Sequence, residues 1–159
     1  VMPAKITQRA AAIFLHEGHV LIHHTREDGL WALPGGRIEP GETGAATLRR
    51  EMREELGTEV AAGPLQWVAE NYFTYEGQQY HEIGLYYLAT FQDAAYYDVG
   101  RTYAGLEEYT DTPGVTLYMT FHWVPIAELD RVPTLRPKFL YRALREVPGP
   151  LAHFVNRGS

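Results

Sequence analysis

The sequence predicts a domain of mixed strands and helices, α/β or α+β, and three observations carry that expectation. Runs rich in Val, Ile, Phe and Tyr recur along the chain with polar residues between them, the pattern of half-buried strands. Between Ala45 and Leu56 the apolar residues Ala45, Leu48, Met52 and Leu56 fall at helical spacing instead. No repeat, low-complexity tract or linker interrupts the 159 residues, so one domain over 1–159 is expected.

Taken in order, "ITQRAAAIFL" and "HVLIHHT", split by "HEGH", read as two strands joined by a tight turn. "GLWALPGGRIEPGETG" is too rich in glycine and proline to be a regular element and reads as a structured loop. The helix from Ala45 to Leu56 follows, and Gly57 is a fitting stop. "LQWVAENYFTY" and "QYHEIGLYYLATF" look like a strand pair turning at Glu76-Gly77. Asp93 to Gly114 is polar, turn-rich and full of tyrosine; its length suggests a substrate lid or a subunit contact, so a homodimer is one expected partner. "VTLYMTFHWV" reads as another strand, and "RPKFLYRALREV" as a C-terminal helix with Pro137 near its first turn.

Bulk composition excludes several classes. A net charge of −6 argues against a nucleic-acid or anionic-membrane surface, which needs clustered Lys and Arg. The chain has no cysteine, which removes disulfides, thiolate metal sites and a cysteine nucleophile. No apolar run is long enough for a membrane span and no signal-peptide pattern opens the sequence, so a cytoplasmic location is expected.

The chemistry concentrates in "RREMREELG". Glu51, Glu54 and Glu55 sit at spacings of three and four on one flank of the helix, at the end where its dipole disfavours negative charge. Such a patch can be a solvated acidic face screened by Arg50 and Arg53. It can also be a set of hard oxygen donors, with no His or Cys among them, suited to Mg²⁺ or Mn²⁺. A bound cation would relieve the repulsion.

From Gly36 the chain reads "GRIEPGETGAATLRREMREELGT": Gly36, five residues, Glu42, seven residues, then Arg50-Glu51-Met52-Arg53-Glu54-Glu55-Leu56-Gly57. This resembles the Nudix box, Gly-x5-Glu-x7-Arg-Glu-U-x-Glu-Glu-x-Gly-U with U a bulky aliphatic. Every polar and glycine position matches; the one departure is Thr58, where an aliphatic residue is usual. "WALPGG" also resembles the family's usual lead-in to the box.

The resemblance implies a Nudix-type α/β/α sandwich with a mixed sheet. It also implies hydrolysis of a nucleoside diphosphate linked to another group, so the partner is a small nucleotide substrate. In that reading Glu51, Glu54 and Glu55 are metal ligands, Gly35 supplies a backbone carbonyl, Arg50 orients the carboxylates and Glu42 supports the loop. Glu54 and Arg50 are then catalytic residues. Two rivals share parts of the pattern. An isopentenyl-diphosphate isomerase has the fold but uses a cysteine, and a non-catalytic nucleotide-sensing module usually lacks box glutamates.

Outside the box, Glu82 is the expected proton acceptor. It stands among Ile83, Gly84, Leu85 and Tyr86, where an unpaired carboxylate is costly, so the sheet should aim it at the helix. Glu107 and Glu108, in the polar loop, are its rivals. Glu70 and His81 are further candidates on these strands. His23 and His24 are expected to be structural, as is Trp123. Tyr96, Tyr97, Tyr103 and Tyr109 could stack on a base or pack the loop onto the sheet. Tyr75 lies at a spacing from the box associated with diadenosine-polyphosphate hydrolases. The proline that marks many ADP-ribose hydrolases near this distance is absent.

Overall fold

The computed structural model describes residues 2–25, 29–108 and 114–158, with the backbone alone for Glu108. Among the described residues, ten strands form two sheets. They are β1 (Lys5–Ile13), β2 (Leu15–His16), β3 (His19–Thr25), β4 (Trp31–Ala32), β5 (Gly35–Arg37), β6 (Val60–Tyr75), β7 (Gln78–Phe91), β8 (Thr102–Glu108), β9 (Thr116–Pro125) and β10 (Ala152–Arg157). The larger sheet runs β10-β6-β7-β1-β5, and the smaller runs β2-β3-β9-β8 with β4 on β3. The larger sheet is mixed: β1 is parallel to β7 and antiparallel to β5, and β10 is parallel to β6.

Side-chain alternation along β1 organises the core. Ala10, Ala12 and Phe14 face Leu48 and Met52 of α1 (Gly44–Leu56). Ala11 and Ile13 face the other way, into a cluster with Leu140, Ala143 and Leu144 of the C-terminal segment. Small residues at these positions let α1 lie close to the sheet. The layered α/β/α arrangement expected from the sequence is present.

Several local expectations are revised. The tight turn at Glu17-Gly18 joins only β2 to β3; the chain breaks at Phe14 and changes sheets, because Phe14 is fully buried against Phe91 at 4.1 Å. From Asp93 to Glu108 the chain is no open loop. A 3-10 turn at Ala94–Tyr96 leads into β8, which pairs with β9 from Thr102 to Glu108. Its tyrosines anchor it: Tyr96 Oη donates to Leu56 O, Tyr97 Oη accepts from Phe91 N, and Tyr103 Oη donates to Ala95 O. Tyr96 also stacks between Phe91 and Tyr103. Three rings fixed in this way pack the segment onto the core. Tyr109 and the side chain of Glu108 lie outside the described residues.

The C-terminal helix is only α2 (Leu140–Ala143), extended by a 3-10 turn over Leu144–Glu146. β10, unforeseen from the sequence, then covers the edge of β6. Among the described residues no helix is long and apolar enough to cross a membrane.

Candidate active site

The box helix is well terminated. Thr43 caps its start, its side chain accepting from Ala46 N at 3.1 Å. Gly57 adopts the left-handed conformation at φ 67°, and Gly57 N and Thr58 N return to the carbonyls of Arg53 and Met52. Thr58, the one departure from the box, is buried and serves through its backbone.

Arg50 is the hub of the acidic cluster. Its guanidinium donates to Glu42 Oε2 at 2.8 Å and Oε1 at 3.0 Å, to Glu51 Oε1 at 2.9 Å, to Glu54 Oε2 at 3.3 Å and to Arg37 O at 3.0 Å. Glu42 also accepts from Glu39 N and Thr47 Oγ1. The Arg50 guanidinium, with these two donors, holds the Glu42 carboxyl down at about 2.

The three helix carboxyls occupy different surroundings. Glu54 is mostly exposed, whereas Glu55 is buried and its Oε2 has no hydrogen-bond partner. Burial raises the pKa of both Glu51 and Glu55, Glu55 more strongly. Two backbone features shape the cleft beside the helix. A Cβ on Gly36 would stand 2.2 Å from Glu51 Oε1, and one on Gly35 would stand 2.1 Å from Ala10 O. Gly36 is therefore a steric requirement of the close strand–helix approach, and Gly35 of the close pairing of β5 with β1.

These donors suit a hard divalent cation. They are carboxylate oxygens, one of them buried and unsatisfied, beside a glycine that leaves room for the Glu51 carboxylate. Among the described residues no three acidic or histidine side chains converge into a ready-made cage. Arg50 holds Glu51 and Glu54 instead.

Glu82 does not face the helix as expected. Its register partner on β1 is Thr7, so it lies on the face of Thr7, Arg9 and Ala11, opposite the face of Ala10 and Ala12 that α1 covers. There burial raises its pKa against the opposing influence of Arg9 and Asn71. Glu107 is placed differently. On β8 it shares a face with Tyr103 and Gly105, and a Cβ on Gly105 would be 3.0 Å from the backbone carbonyl of Glu55. The Glu107 charge contributes to raising the Glu55 pKa.

Glu82 and Glu107 line one cavity of about 570 Å³, together with Arg9, Trp31, Asn71 and Phe73. Arg9 donates to Leu33 O at 3.1 Å and feels the charges of Glu82, Glu55 and Glu107. Sequence reasoning missed Arg9, Asn71 and Trp31. A lone arginine before "AAAIF" was the available signal for the first; Asn71 and Trp31 gave none. Tyr75 lines the same cavity. His24 packs tilted against Trp31 at 4.3 Å and stacks with His122, whose pKa burial lowers, and Trp123 Nε1 donates to Tyr96 O at 2.9 Å. Glu70 pairs with His153 on the outer face of the sheet, away from the cavity.

Comparisons with known proteins agree with this geometry. The NUDIX domain family matches residues 6–146. The CTP pyrophosphohydrolase of Escherichia coli (strain K12) is 35% identical over 81 residues, 48% of this chain and 58% of that protein. The putative 8-oxo-dGTP diphosphatase of Bacillus subtilis (strain 168) is 31% identical over 112 residues, 69% of this chain and 64% of that protein. The chain thus spans less than two thirds of the length of either relative. The crystal structure of a MutT protein from Methanosarcina mazei Go1 superposes with a TM-score of 0.58 at 20% identity, covering 94% of this chain and all of that one, which shows a shared fold. With the box intact on its capped helix and the family matched over most of the sequence, this chain belongs to the NUDIX domain family.

Proposed function

We propose that this chain hydrolyses a diphosphate linkage in a nucleoside diphosphate derivative, such as a nucleoside triphosphate, sugar nucleotide or dinucleoside polyphosphate. The observation that carries the reading is the Arg50 network, which fixes Glu42, Glu51 and Glu54 beside the buried Glu55. The names of the two relatives above, a pyrophosphohydrolase and a diphosphatase, support the same chemistry.

A diphosphate is an anion that repels an incoming hydroxide. Glu51, Glu54 and Glu55, with the carbonyl of Gly35, would hold Mg²⁺ or Mn²⁺. When bound, the divalent ion supplies positive charge to the phosphates and makes water more acidic. Arg50 keeps the carboxylates in register, and Glu42 keeps Arg50 in place through two bonds. Water attacks phosphorus and its proton must pass to a carboxylate. Glu107 is the better placed acceptor, because its face of β8 meets the end of α1 whereas Glu82 faces Arg9 across the sheet.

The test is phosphate or pyrophosphate release from a panel of nucleoside triphosphates, sugar nucleotides and dinucleoside polyphosphates. It is run with Mg²⁺, with Mn²⁺ and with chelator, on wild type, Glu54→Gln and Glu55→Gln. Turnover should require the ion and fall by roughly 10²-fold or more in each variant, since Gln keeps the shape and loses the charge. Glu55→Gln should fold at least as stably as wild type without metal, because it removes a buried carboxyl charge that Glu51 and Glu107 oppose. Release that ignores chelator, or near-normal turnover in both variants, would remove the assignment.

A further inference from the structure

The cavity that Glu82 lines has the make-up of a base-reading pocket, and its polar groups are specific about which base edge they suit. Its volume of about 570 Å³ accommodates a nucleoside. Trp31 and Phe73 give it aromatic walls, and Glu107 borders it two residues along β8 from Gly105, which approaches the backbone carbonyl of Glu55. A base held there therefore lies beside the box.

The floor is a row of register partners across three strands. Asn156 on β10 pairs in register with Asn71 on β6, which pairs in register with Glu82 on β7. Asn156 Nδ2 donates to Asn71 Oδ1 at 2.7 Å and to Gly158 O at 3.1 Å. That bond fixes the Asn71 amide beside Glu82, and both residues line the cavity. The ionised Glu82 carboxylate carries acceptor lone pairs on both of its oxygens.

A carboxylate held this way offers two acceptors side by side. Among the common bases only guanine presents two adjacent donors on one edge, N1–H and the N2 amino group. Adenine and cytosine each present a donor beside an acceptor, and uracil presents one donor between two acceptors. We infer that this cavity binds the guanine base of a guanine nucleotide, with Glu82 accepting from N1–H and N2–H and with Asn71 and Asn156 acting as positioning residues. The inference rests on the nucleotide-hydrolase reading for its substrate and adds the base. It makes Glu82 a specificity residue, distinct from the proton acceptor on β8.

The experiment is equilibrium binding of nucleoside monophosphates without metal, followed by tryptophan fluorescence, since Trp31 lines the cavity while Trp67 and Trp123 are buried. GMP should bind wild type at least about tenfold more tightly than AMP, CMP or UMP. IMP, which keeps N1–H and lacks the N2 amino group, should fall between GMP and AMP. Glu82→Gln presents a donor beside an acceptor, so its preference should turn from GMP toward AMP and CMP. Equal binding of all four nucleotides by wild type overturns the inference, as does a GMP preference that survives Glu82→Gln. If that variant does not fold, the GMP-to-IMP ratio on wild type decides alone, and a ratio near one overturns it. Binding without turnover separates the two readings. A chain that prefers GMP and cleaves nothing loses the hydrolase assignment only, and one that cleaves all bases equally loses this inference only.

Discussion

Glu42→Gln isolates the interaction that orders the box. In the wild type Glu42 takes two bonds from Arg50, one from Thr47 Oγ1 and one from Glu39 N. The substitution keeps the shape, removes the charge and turns an amide donor toward a guanidinium that can only donate. The Glu42 pKa lies at about 2 rather than 4.5. At 1.36 kcal/mol per unit that shift corresponds to ~3 kcal/mol for a dry pair. The side chains of Glu42 and Arg50 remain 21% and 29% exposed, however. Solvent screening reduces the expected loss to about 1–2 kcal/mol, or a fall in Tm of roughly 2–8 °C for a chain of this length. The sign with pH follows from the depressed value. The stabilisation is complete above the unfolded pKa near 4.5 and disappears as pH falls toward 2. Urea unfolding of both proteins at pH 7, 4.5 and 3 checks it, because carboxyls common to both cancel in the difference. A gap equally large at pH 7 and pH 3, or no gap at pH 7, would refute the electrostatic account of this pair.

Two further outcomes are expected. Gly36→Ala places a methyl group 2.2 Å from the Glu51 carboxylate, which must move and release its bond to Arg50; the half-saturating Mn²⁺ concentration for turnover should rise by about tenfold with the fold intact, and an unchanged ion dependence counts against Glu51 as a ligand. Glu107→Gln should lower kcat by about 10²-fold or more with little change in KM. If instead Glu82→Gln shows that kcat loss and Glu107→Gln does not, the proton acceptor is on β7 after all.

The box was legible because its chemistry is local. Glu42, Arg50, Glu51, Glu54 and Glu55 lie within one loop and one helix, and helical spacing alone puts the acids on one flank. The glycines at the loop and at Gly57 announced the helix start and stop. Glu82 shows where that logic ends. Its neighbours marked it as a buried charge but said nothing of the face it occupies, since one step of register reverses every side chain of a strand. The face is decided by β1, more than seventy residues earlier in the chain, through the Thr7–Glu82 pairing. Asn71 and Asn156 were invisible for the same reason, as their partnership exists only when β10 closes on β6. Composition misled over β8. Tyrosine and polar residues read as a loop, yet those rings anchor the strand to Phe91, Leu56 and Ala95.

The acidic end of α1 thus carries its unfavourable charge in three ways, each set by position. Glu54 is largely exposed with a long bond from Arg50, Glu51 is paired with Arg50, and Glu55 is buried with its pKa pushed up. Arg9 adds a fourth influence from the opposite side of the sheet, and it does so while also facing Glu82, Glu107 and Tyr86. The Arg9 guanidinium therefore links the box, the candidate proton acceptor and the candidate base reader electrostatically. Neutralising Glu82 leaves Arg9 with fewer opposing charges and so favours the ionised form of Glu55. Residues coupled in this way do not contribute additively. The base that occupies the cavity and the acids that act beside it are consequently parts of one charge balance, although they come from two sheets and opposite faces of β1.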